Sequence, residues 1–424
     1  MKDEIRKRID TVSRGEVPEG FQQVDGYVFP ADWHLEVFSK KFKRSLRRNT
    51  SACNNVLTIS AQLGLVSQKE YYDKDIASED KSGYFLLRRG EFTYNKSYSS
   101  GYPYGAIKRL EKYEEGIVSP LYICFEPKQE TNTDFYSHYF EAGIYNREIY
   151  HFAQEGARNH GLLNIATEDF FAGNLIVPPE EEQKRIVEIL SSCDRVIELK
   201  QKLVEELQQL KKTCLAKMFP RNGADVPELR FPGFTDPWEQ RKLGEICQVT
   251  MGQSPDGSTY SETPSDYILV QGNADLKDGW VSPRIWTTQK TKTAEAGDLI
   301  MSVRAPAGAM GKTTYNVVLG RGVAGIRGNE FIYQSLVKMD SDGYWKKLAA
   351  GSTFESINSD AVNGAELVVP QDTVEQNRIG DFFASIDNLI TLHQCELEAE
   401  KQKKKALMQL LLTGLVRVNE FETV

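Results

Sequence analysis

The sequence lacks the patterns that would place the protein in a membrane or outside the cell. Its 424 residues contain no run approaching eighteen apolar residues, and the amino terminus, MKDEIRKRID, is charged and has no apolar signal region. The six cysteines form no Cys-x-x-Cys pair and no zinc-type spacing, which favours reduced, buried thiols over a disulfide framework. We therefore expect a cytoplasmic protein that does not contact a membrane.

Catalytic motifs are also scarce. The segment PAGAMGKT at 306–313 resembles a phosphate-binding loop, but Pro306 replaces the first glycine and cannot offer the amide that holds a phosphate. The VPPE segment at 177–180 lacks the preceding Asn or Asp and the following aromatic residue of an amino-methyltransferase motif. The five histidines show no plausible triad or metal cluster. We expect no catalytic residue, no metal site and no cofactor bound by this chain.

One pattern leaves a nuclease open as an alternative. Pro255-Asp256 together with Asp275-Leu276-Lys277 mimics the acidic pair plus lysine of many metal-dependent nucleases. Such loose patterns are frequent by chance, and Pro-Asp-Gly-Ser predicts a turn before anything else. A stand-alone metal-dependent nuclease using Asp256, Asp275 and Lys277 is therefore the alternative to a binding protein.

The sequence does contain the same signature twice. LIVPPEEEQKRI at 175–186 returns as LVVPQDTVEQNRI at 367–379, and each copy begins a long stretch rich in Glu, Lys, Gln and Leu. Trp33 precedes the first copy much as Trp238 precedes the second. Two copies this long argue against a stacked array of short repeats. The chain is a tandem duplication of one unit, with a globular part followed by a long helix.

Both stretches are predicted to be helices, at 180–219 and 373–412. In the first, Ile189, Val196, Leu203 and Leu210 recur every seven residues, and a second stripe of Ile186, Cys193, Leu207 and Cys214 lies between them, which predicts a coiled-coil seam. In the second, charged residues interrupt the middle of the pattern. At 1.5 Å per residue each helix is roughly 57–60 Å long, nearly two turns of duplex DNA. A plain oligomerisation device, in the form of a coiled-coil scaffold with no nucleic-acid role, is the second alternative.

Charge and composition indicate a globular protein with one basic segment. Aromatic residues make up 10% of the chain and the net charge is −8, yet residues 40–48 (KKFKRSLRR) hold six cations in nine positions. A local basic surface on an acidic protein can bind a phosphate backbone, while acidic regions contact other subunits. A solvated helix face explains the same charges equally well.

Polar, aromatic and glycine residues are interleaved at 57–74 and 91–110, and again at 251–257, 268–280 and 298–313. Arg and Lys can bind guanine, Asn and Gln can pair with adenine, and glycine lets the backbone approach phosphate. Surface turns have the same composition, so each single residue has a structural explanation as well.

The whole chain resembles the specificity subunit of Type I restriction-modification enzymes. The resemblance rests on the twofold arrangement, on VPPEEEQKRIVEIL and VPQDTVEQNRIGDFF at the two junctions, on VPELRFPGFTDPWEQRKLGEI at 226–246, and on GEFTYNKS and GIVSPLY in the first half. It implies an α+β protein in which two mixed α/β target recognition domains form a pseudo-twofold tandem repeat, separated by two long antiparallel coiled-coil helices. Each domain would read one half of a split sequence in double-stranded DNA.

The resemblance also implies partners. The helices would act as a ruler and would bind two modification (methyltransferase) subunits, and restriction subunits would join them in a host-defence complex. S-adenosylmethionine for adenine methylation, and ATP and Mg for cleavage, would be bound by those subunits. This chain by itself would be a non-catalytic DNA-binding component.

The expected organisation has seven parts. They are an amino-terminal arm at 1–30 with no assigned role, a first recognition domain at 31–178, a helix at 179–219, a linker at 220–234, a second recognition domain at 235–370, a helix at 371–413 and a tail at 414–424.

Candidate DNA contacts are the cationic, amide, hydroxyl and tyrosine side chains of the segments named above. In the first domain they are Lys43, Arg44, Arg47, Arg48, Ser60, Gln62, Tyr94, Asn95, Lys96, Ser97, Tyr102, Lys108 and Arg109. In the second they are Gln253, Ser254, Gln271, Asn273, Arg304, Lys312 and Arg321. Base readout is predicted for 94–97 in the first domain and for Gln271, Asn273, Arg304 and Lys312 in the second.

Overall fold

The computed structural model describes residues 3–50, 53–60, 63–72, 81–99, 101–153, 158–159, 162–221, 223–349 and 356–421. Within these ranges no helix is both long enough and apolar enough to cross a membrane. The described residues form both helices and mainly antiparallel sheets, with runs of strands between the helices, which confirms the predicted α+β class.

The chain divides into two compact units. The first contains residues 1–198 and 398–424, and the second contains residues 199–397. Both divisions fall inside the two long helices, Glu180–Met218 and Thr373–Leu412, which are called here the first and second long helix. Their observed bounds confirm the predicted helices. Each unit therefore contains one globular domain and about half of each long helix.

The globular part of the first unit is built on a four-stranded antiparallel sheet with the order Phe42–Arg44, Ile123–Pro127, Phe92–Asn95, Ala106–Arg109. The other strands are Phe21–Val24, Tyr27–Pro30, His34–Val37, Leu57–Ser60, Gly64–Ser67, Phe85–Arg88, Glu115–Val118, Arg158–Asn159, Leu162–Leu163 and Asn174–Val177. The shorter helices are Asp3–Ser13, Phe38–Lys41, Gln68–Tyr72, Thr133–Glu141, Asn146–Phe152, Thr167–Ala172 and Val418–Phe421.

An aromatic core holds the first unit together. Successive side chains of a strand point to opposite faces, so Phe92 and Tyr94 enter the same side of the sheet and are fully buried. The Phe92 ring stacks on Phe125 from the neighbouring strand at 5.4 Å between centroids. Ile186 of the first long helix and Leu411 of the second belong to the same core. The helix ends are therefore part of the hydrophobic core of this unit.

The second unit contains two larger sheets. Their strands, in spatial order, are Gln248–Met251, Val323–Arg327, Leu299–Ser302, Met310–Lys312, Trp280–Val281 and Leu276–Lys277 for one sheet, and Tyr260–Ser261, Ile285–Thr287, Tyr267–Val270, Val317–Leu319 and Thr293–Ala294 for the other. Glu239–Lys242 pairs with Glu366–Val369. The helices are Leu243–Ile246, Glu330–Ser341, Tyr344–Ala349 and Ser359–Asn363, with 3-10 turns at Gly257–Thr259 and Asn273–Asp275. Leu215 and Phe219, at the end of the first long helix, share a core with Ile379 and Phe383 at the start of the second.

The two junctions between domain and helix are built alike. Gln183 donates its side-chain amide to the carbonyl of Pro178 at 2.9 Å, and Gln376 does the same to Pro370 at 2.9 Å. The residue after each tryptophan pairs with the valine before the proline: His34 with Val177, and Glu239 with Val369. The duplication predicted from the signature is therefore a duplication of structure.

The heptad interpretation of the first long helix is wrong for one of its two stripes. Ile186 and Cys214 are buried as a seam requires, but Val196, Leu203 and Leu210 are 38–49% exposed. The second row of the seam is formed instead by residues such as Leu190 and Val204, which are buried and lie four residues after positions of the Ile186 stripe, not three. The stripe that contains Val196, Leu203 and Leu210 is a solvent-facing apolar surface.

The amino-terminal arm and the tail belong to the first unit. Tyr27 and Phe29 lie in its aromatic core. Arg8, on the first helix, donates to both carboxylate oxygens of Glu420 at 2.9 Å and to the carbonyl of Leu415 at 2.9 Å. The structural role of residues 1–30, which the sequence leaves unassigned, is thus to complete the first unit together with the tail.

Candidate nucleic-acid interface

Most of the predicted contacts of the second domain meet at one edge of it. The amide of Gln253 donates to the carbonyl of Leu319, and Arg321 donates its amide to the hydroxyl of Ser254 at 3.2 Å. The amide of Gly320 donates to Val270 at 2.7 Å, next to Gln271. These bonds place the loops at 252–254, 271–273 and 320–322 side by side. We call this set of loops, with Arg304, the second-domain edge.

Glycine is required where these loops touch. A Cβ atom at Gly322 would lie 2.1 Å from the carbonyl oxygen of Gln271, and one at Gly252 would lie 2.1 Å from that of Gly320. Val303, the neighbour of Arg304, donates its amide to the carbonyl of Gly322 at 2.9 Å. Close backbone packing therefore holds the loops in place, so the backbone positions from which their side chains extend are fixed.

The side chains at this edge are available to a ligand. Gln253, Asn273, Arg304 and Arg321 are exposed, and Ser254 and Gln271 are half-buried. Cations and amides on a rigid frame can contact phosphates and base edges. Six of the seven residues predicted for this domain thus lie together.

Lys312 lies elsewhere. Its ammonium is 3.0 Å from a carboxylate oxygen of Glu330 and within 5 Å of the rings of Trp280 and Tyr333. Lys312, Trp280 and Tyr333 line a cleft of about 300 Å³ that also includes Lys211 and Asp387 of the long helices. The charge of Lys312 is already compensated inside the unit, so this side chain fits domain-to-helix packing better than base readout.

The first domain neutralises part of its basic segment. Lys43 contacts Glu126 at 2.6 Å, and Arg47 bridges Glu91 at 2.8 Å and Glu126 at 3.0 Å. Lys43 is the largest influence that lowers the pKa of the Glu126 carboxyl. Arg48 lies 4.7 Å from the centre of the Phe85 ring. Three of the predicted cations therefore already have acidic or aromatic partners.

Arg44 and Lys96 are better placed to contact DNA than Lys43, Arg47 and Arg48. Arg44 is exposed and forms no ion pair with any residue in the described ranges. Burial lowers the pKa of Lys96, and the positive charge of Arg44 lowers it further. The Lys96 ammonium donates to the carbonyl of Ile165 at 2.9 Å, and Asn95 accepts from the amide of Ser97 at 3.0 Å. Arg44, Asn95, Lys96 and Ser97 form the first-domain candidate contact set.

Two predictions for the first domain disagree with burial. Tyr94 is fully buried, and its hydroxyl donates to the carbonyl of Tyr104 at 2.8 Å. Ser60 is also buried, and its hydroxyl accepts from the amide of Leu63 at 3.3 Å. A base cannot reach either side chain without unpacking the core. Gln62 lies outside the described residues.

Lys108 and Arg109 line a cleft of about 440 Å³, and Tyr102 is linked to it through Glu141, which also lines the cleft. The hydroxyl of Tyr102 donates to Glu141 at 2.7 Å, Lys108 pairs with the same carboxylate, and Arg109 pairs with Asp134 at 2.7 Å. The cleft also includes His138, Asp194 and Lys404. These three predicted contacts are therefore compensated beside the long helices, as Lys312 is in the second unit.

The nuclease alternative gains no support. The carboxylate of Asp275 is buried and accepts from the amides of Gln271 and Gly272 and from Arg284. Asp256 caps a 3-10 turn by accepting from the amide of Ser258 at 2.9 Å. Among the described residues no three His, Cys, Asp or Glu side chains converge as metal ligands would.

Arg284 was not identified from the sequence. Its side chain is 57% exposed although it pairs with the buried Asp275. The pairing joins a strand end to a loop nine residues earlier, and no sequence motif marks it.

Comparisons with known proteins agree with the twofold arrangement. The family model described as "Type I restriction modification DNA specificity domain" matches residues 109–209 and 235–401, which together are more than half of the chain. The chain is 26% identical over 423 residues to the "Putative type I restriction enzyme MjaX specificity subunit" of Methanocaldococcus jannaschii, covering 94% of this chain and 97% of that protein.

Solved structures show the same fold. A chain from a structure described as "Structural basis underlying complex assembly and conformational transition of the type I R-M system" is similar with a TM-score of 0.58 at 22% identity, covering 92% of this chain and all of that one. The type I restriction-modification S subunit from M. genitalium is similar with a TM-score of 0.55 at 13% identity, covering 89% and 96%. The chain belongs to the family of type I restriction-modification DNA specificity subunits, and it contains two target recognition domains.

Proposed function

We propose that this chain binds a bipartite sequence in double-stranded DNA, with one half-site read by each recognition domain. The observation that carries the proposal is the second-domain edge, where six polar and cationic side chains stand on loops fixed by backbone hydrogen bonds. The first domain offers the smaller set of Arg44, Asn95, Lys96 and Ser97. The negative net charge of the chain matters little, because phosphate contact depends on the local potential.

The chain also docks modification subunits through its long helices in this proposal. Leu199, Leu203 and Leu210 of the first long helix and Leu389 and Leu392 of the second are each at least 38% exposed in the second unit. Apolar side chains repeated along helices favour a helical partner that covers them. S-adenosylmethionine, ATP and Mg would be bound by modification and restriction subunits, and the assembled complex would methylate adenine.

Binding of the assembled complex to short duplexes tests the proposal. The chain is co-expressed with the modification subunit, methylated sites are mapped in the host genome, and a duplex with the deduced site is compared with duplexes in which one half is scrambled. We expect scrambling of either half to weaken binding to the level of unrelated DNA. Equal affinity for all duplexes would support a scaffold without sequence recognition, and cleavage by the chain alone would support the nuclease.

A further inference from the structure

We propose that Arg284 reads a guanine in the half-site of the second domain, and that Asp275 is the positioning residue that aims it. The inference rests on the proposed DNA-binding function and adds one residue with a defined base to it. Arg284 lies at 281–286 (VSPRIW), outside the segments from which DNA contacts were predicted.

Asp275 connects Arg284 to the second-domain edge. One carboxylate oxygen, Oδ2, accepts from the amide of Gln271 at 2.7 Å and from that of Gly272 at 3.3 Å. The other oxygen, Oδ1, lies 3.1 Å from Nε and 3.0 Å from Nη2 of Arg284. The same carboxylate therefore fixes the loop that carries Gln271 and Asn273 and the guanidinium of Arg284.

The backbone of Asp275 strengthens this connection. Its amide donates to the carbonyl of Gly272 at 3.0 Å, and its carbonyl accepts from the amide of Ser282 at 2.8 Å. Asp275 is only 1% exposed, so its side chain has little freedom to move. A guanidinium bound to such a carboxylate loses much less entropy on binding DNA than a freely rotating one.

The geometry leaves the reading edge of Arg284 open. Asp275 occupies the side of the guanidinium formed by Nε and Nη2, so the end formed by Nη1 and the second hydrogen of Nη2 remains available. Two parallel N–H donors match the N7 and O6 acceptors that guanine presents in the major groove. No other base presents two acceptors there, which commits the proposal to guanine.

A structural ion pair is the competing explanation, and Arg327 provides the matched control. Its side chain is also 57% exposed, and it pairs with Glu295 at 2.7 Å, a carboxylate that is itself 71% exposed. Arg327 thus shares the domain, the exposure and an ion pair with Arg284, but its nearest partner is not fixed by burial.

The experiment maps methylated sites in genomes that carry the full chain with its modification subunits, as wild type and as Arg284→Ala, Arg284→Lys, Asp275→Asn and Arg327→Ala. We expect Arg284→Ala and Arg284→Lys to relax one G·C pair of the second half-site, with discrimination falling about five- to a hundredfold. Asp275→Asn should relax the same pair, and the first half-site should not change. Arg327→Ala should leave the whole site unchanged.

Three results would overturn the inference. They are an unchanged site for both Arg284 variants, a loss of methylation that is equal at all sites with no change in their sequence, and relaxation by Arg327→Ala as well. Thermal unfolding of each variant identifies a folding defect. If Arg284→Ala is unstable, the result for Arg284→Lys decides the question, because lysine keeps the charge but not the planar fork. Failure of the proposed function is distinguishable, because the wild-type map would then lack a bipartite site.

Discussion

Lys211 of the first long helix and Asp387 of the second form an ion pair at 2.6 Å in the second unit, and the first unit contains the same pair between Lys404 and Asp194. Each residue is displaced by 193 positions from its counterpart, from 211 to 404 and from 194 to 387. In the second unit the lysine lies on the first long helix and the aspartate on the second, whereas in the first unit the two are the other way round. Such an exchange arises when two copies of one helix pack antiparallel, so the duplication extends to individual ion pairs.

We expect Lys211→Met to destabilise the second unit by about 1–2 kcal/mol, less than the loss of a fully buried pair, because both side chains keep partial exposure. Urea unfolding measures the change. The control is Lys202→Met at the exposed pair with Glu206, where the expected cost is about 0.5 kcal/mol or less. A larger effect for the control would show that helix propensity, and not the ion pair, is being measured.

Acidification should destabilise the first unit through His138. Burial lowers the pKa of His138, as do the charges of Lys404 and Arg109, while Asp194 and Asp134 oppose them. The folded state therefore binds a proton less readily than the unfolded chain, whose histidine has a pKa of about 6.5. The stability linked to this group is present above that pH and is lost as the pH falls below it.

His138→Gln should remove this loss of stability at low pH, because glutamine does not titrate. An amide can replace the imidazole beside Asp194, since Gln334 donates to the equivalent Asp387 at 2.8 Å in the second unit. The melting temperature is measured from pH 8 to pH 5 for the wild type, for His138→Gln and for the exposed control His34→Gln. We expect a flatter curve for His138→Gln alone. Parallel curves for all three proteins would contradict the assignment.

The two arginines at the helix starts should differ in importance. Arg230 binds both oxygens of Glu375, which is 1% exposed, and Arg417 binds both oxygens of Glu182, which also accepts from the Trp33 indole at 2.9 Å. Arg230→Ala leaves a buried carboxylate without its cation, so we expect a cost of about 3–5 kcal/mol.

Arg417→Ala should cost less, about 2–3 kcal/mol, because Glu182 keeps the Trp33 indole as a donor. Hydrogen exchange measured for individual peptides should show that the loss of protection is confined to the unit that carries the substitution. Arg221→Ala, at a pair whose arginine side chain is 78% exposed, serves as the control. Equal effects of Arg230→Ala and Arg417→Ala would contradict the role given to Trp33.

The cations of the second domain should separate into two groups in DNA binding. Arg321→Ala removes an exposed cation of the second-domain edge, and we expect a weaker complex whose dependence on salt falls by about one phosphate contact. Lys312→Ala removes a cation already paired with Glu330, so affinity and salt slope should stay near those of the wild type. Fluorescence anisotropy of the assembled complex over a salt series measures both. A reversal of the two results would place Lys312 at the DNA.

The helices and the duplication could be predicted because they depend on local patterns. The predicted helix at 180–219 ends within one residue of the observed end, since charge, proline and apolar spacing act over a few residues. The exposure of Val196, Leu203 and Leu210 could not be predicted, because it depends on which side of the helix the rest of each unit covers.

Candidate site residues were harder to predict, because composition does not reveal pairing. Lys108 and Lys312 have the residue type of DNA contacts, but Glu141 and Glu330, which compensate them, are brought in by tertiary folding. The residues of the second-domain edge agree better with the structure, because the glycines near them in the sequence allow their loops to pack closely. Arg284 was missed because no motif marks its segment and its pairing with Asp275 is made by tertiary folding.

Exchange of residues 31–178 for the corresponding domain of another family member decides whether each domain reads its own half of a split site. The chimera and the wild type are each expressed with the modification subunits, and methylated adenines are mapped across the genome. We predict that one half-site changes to that of the donor protein while the other half-site stays the same. A change in both half-sites, or in neither, would contradict the division of recognition between the two domains.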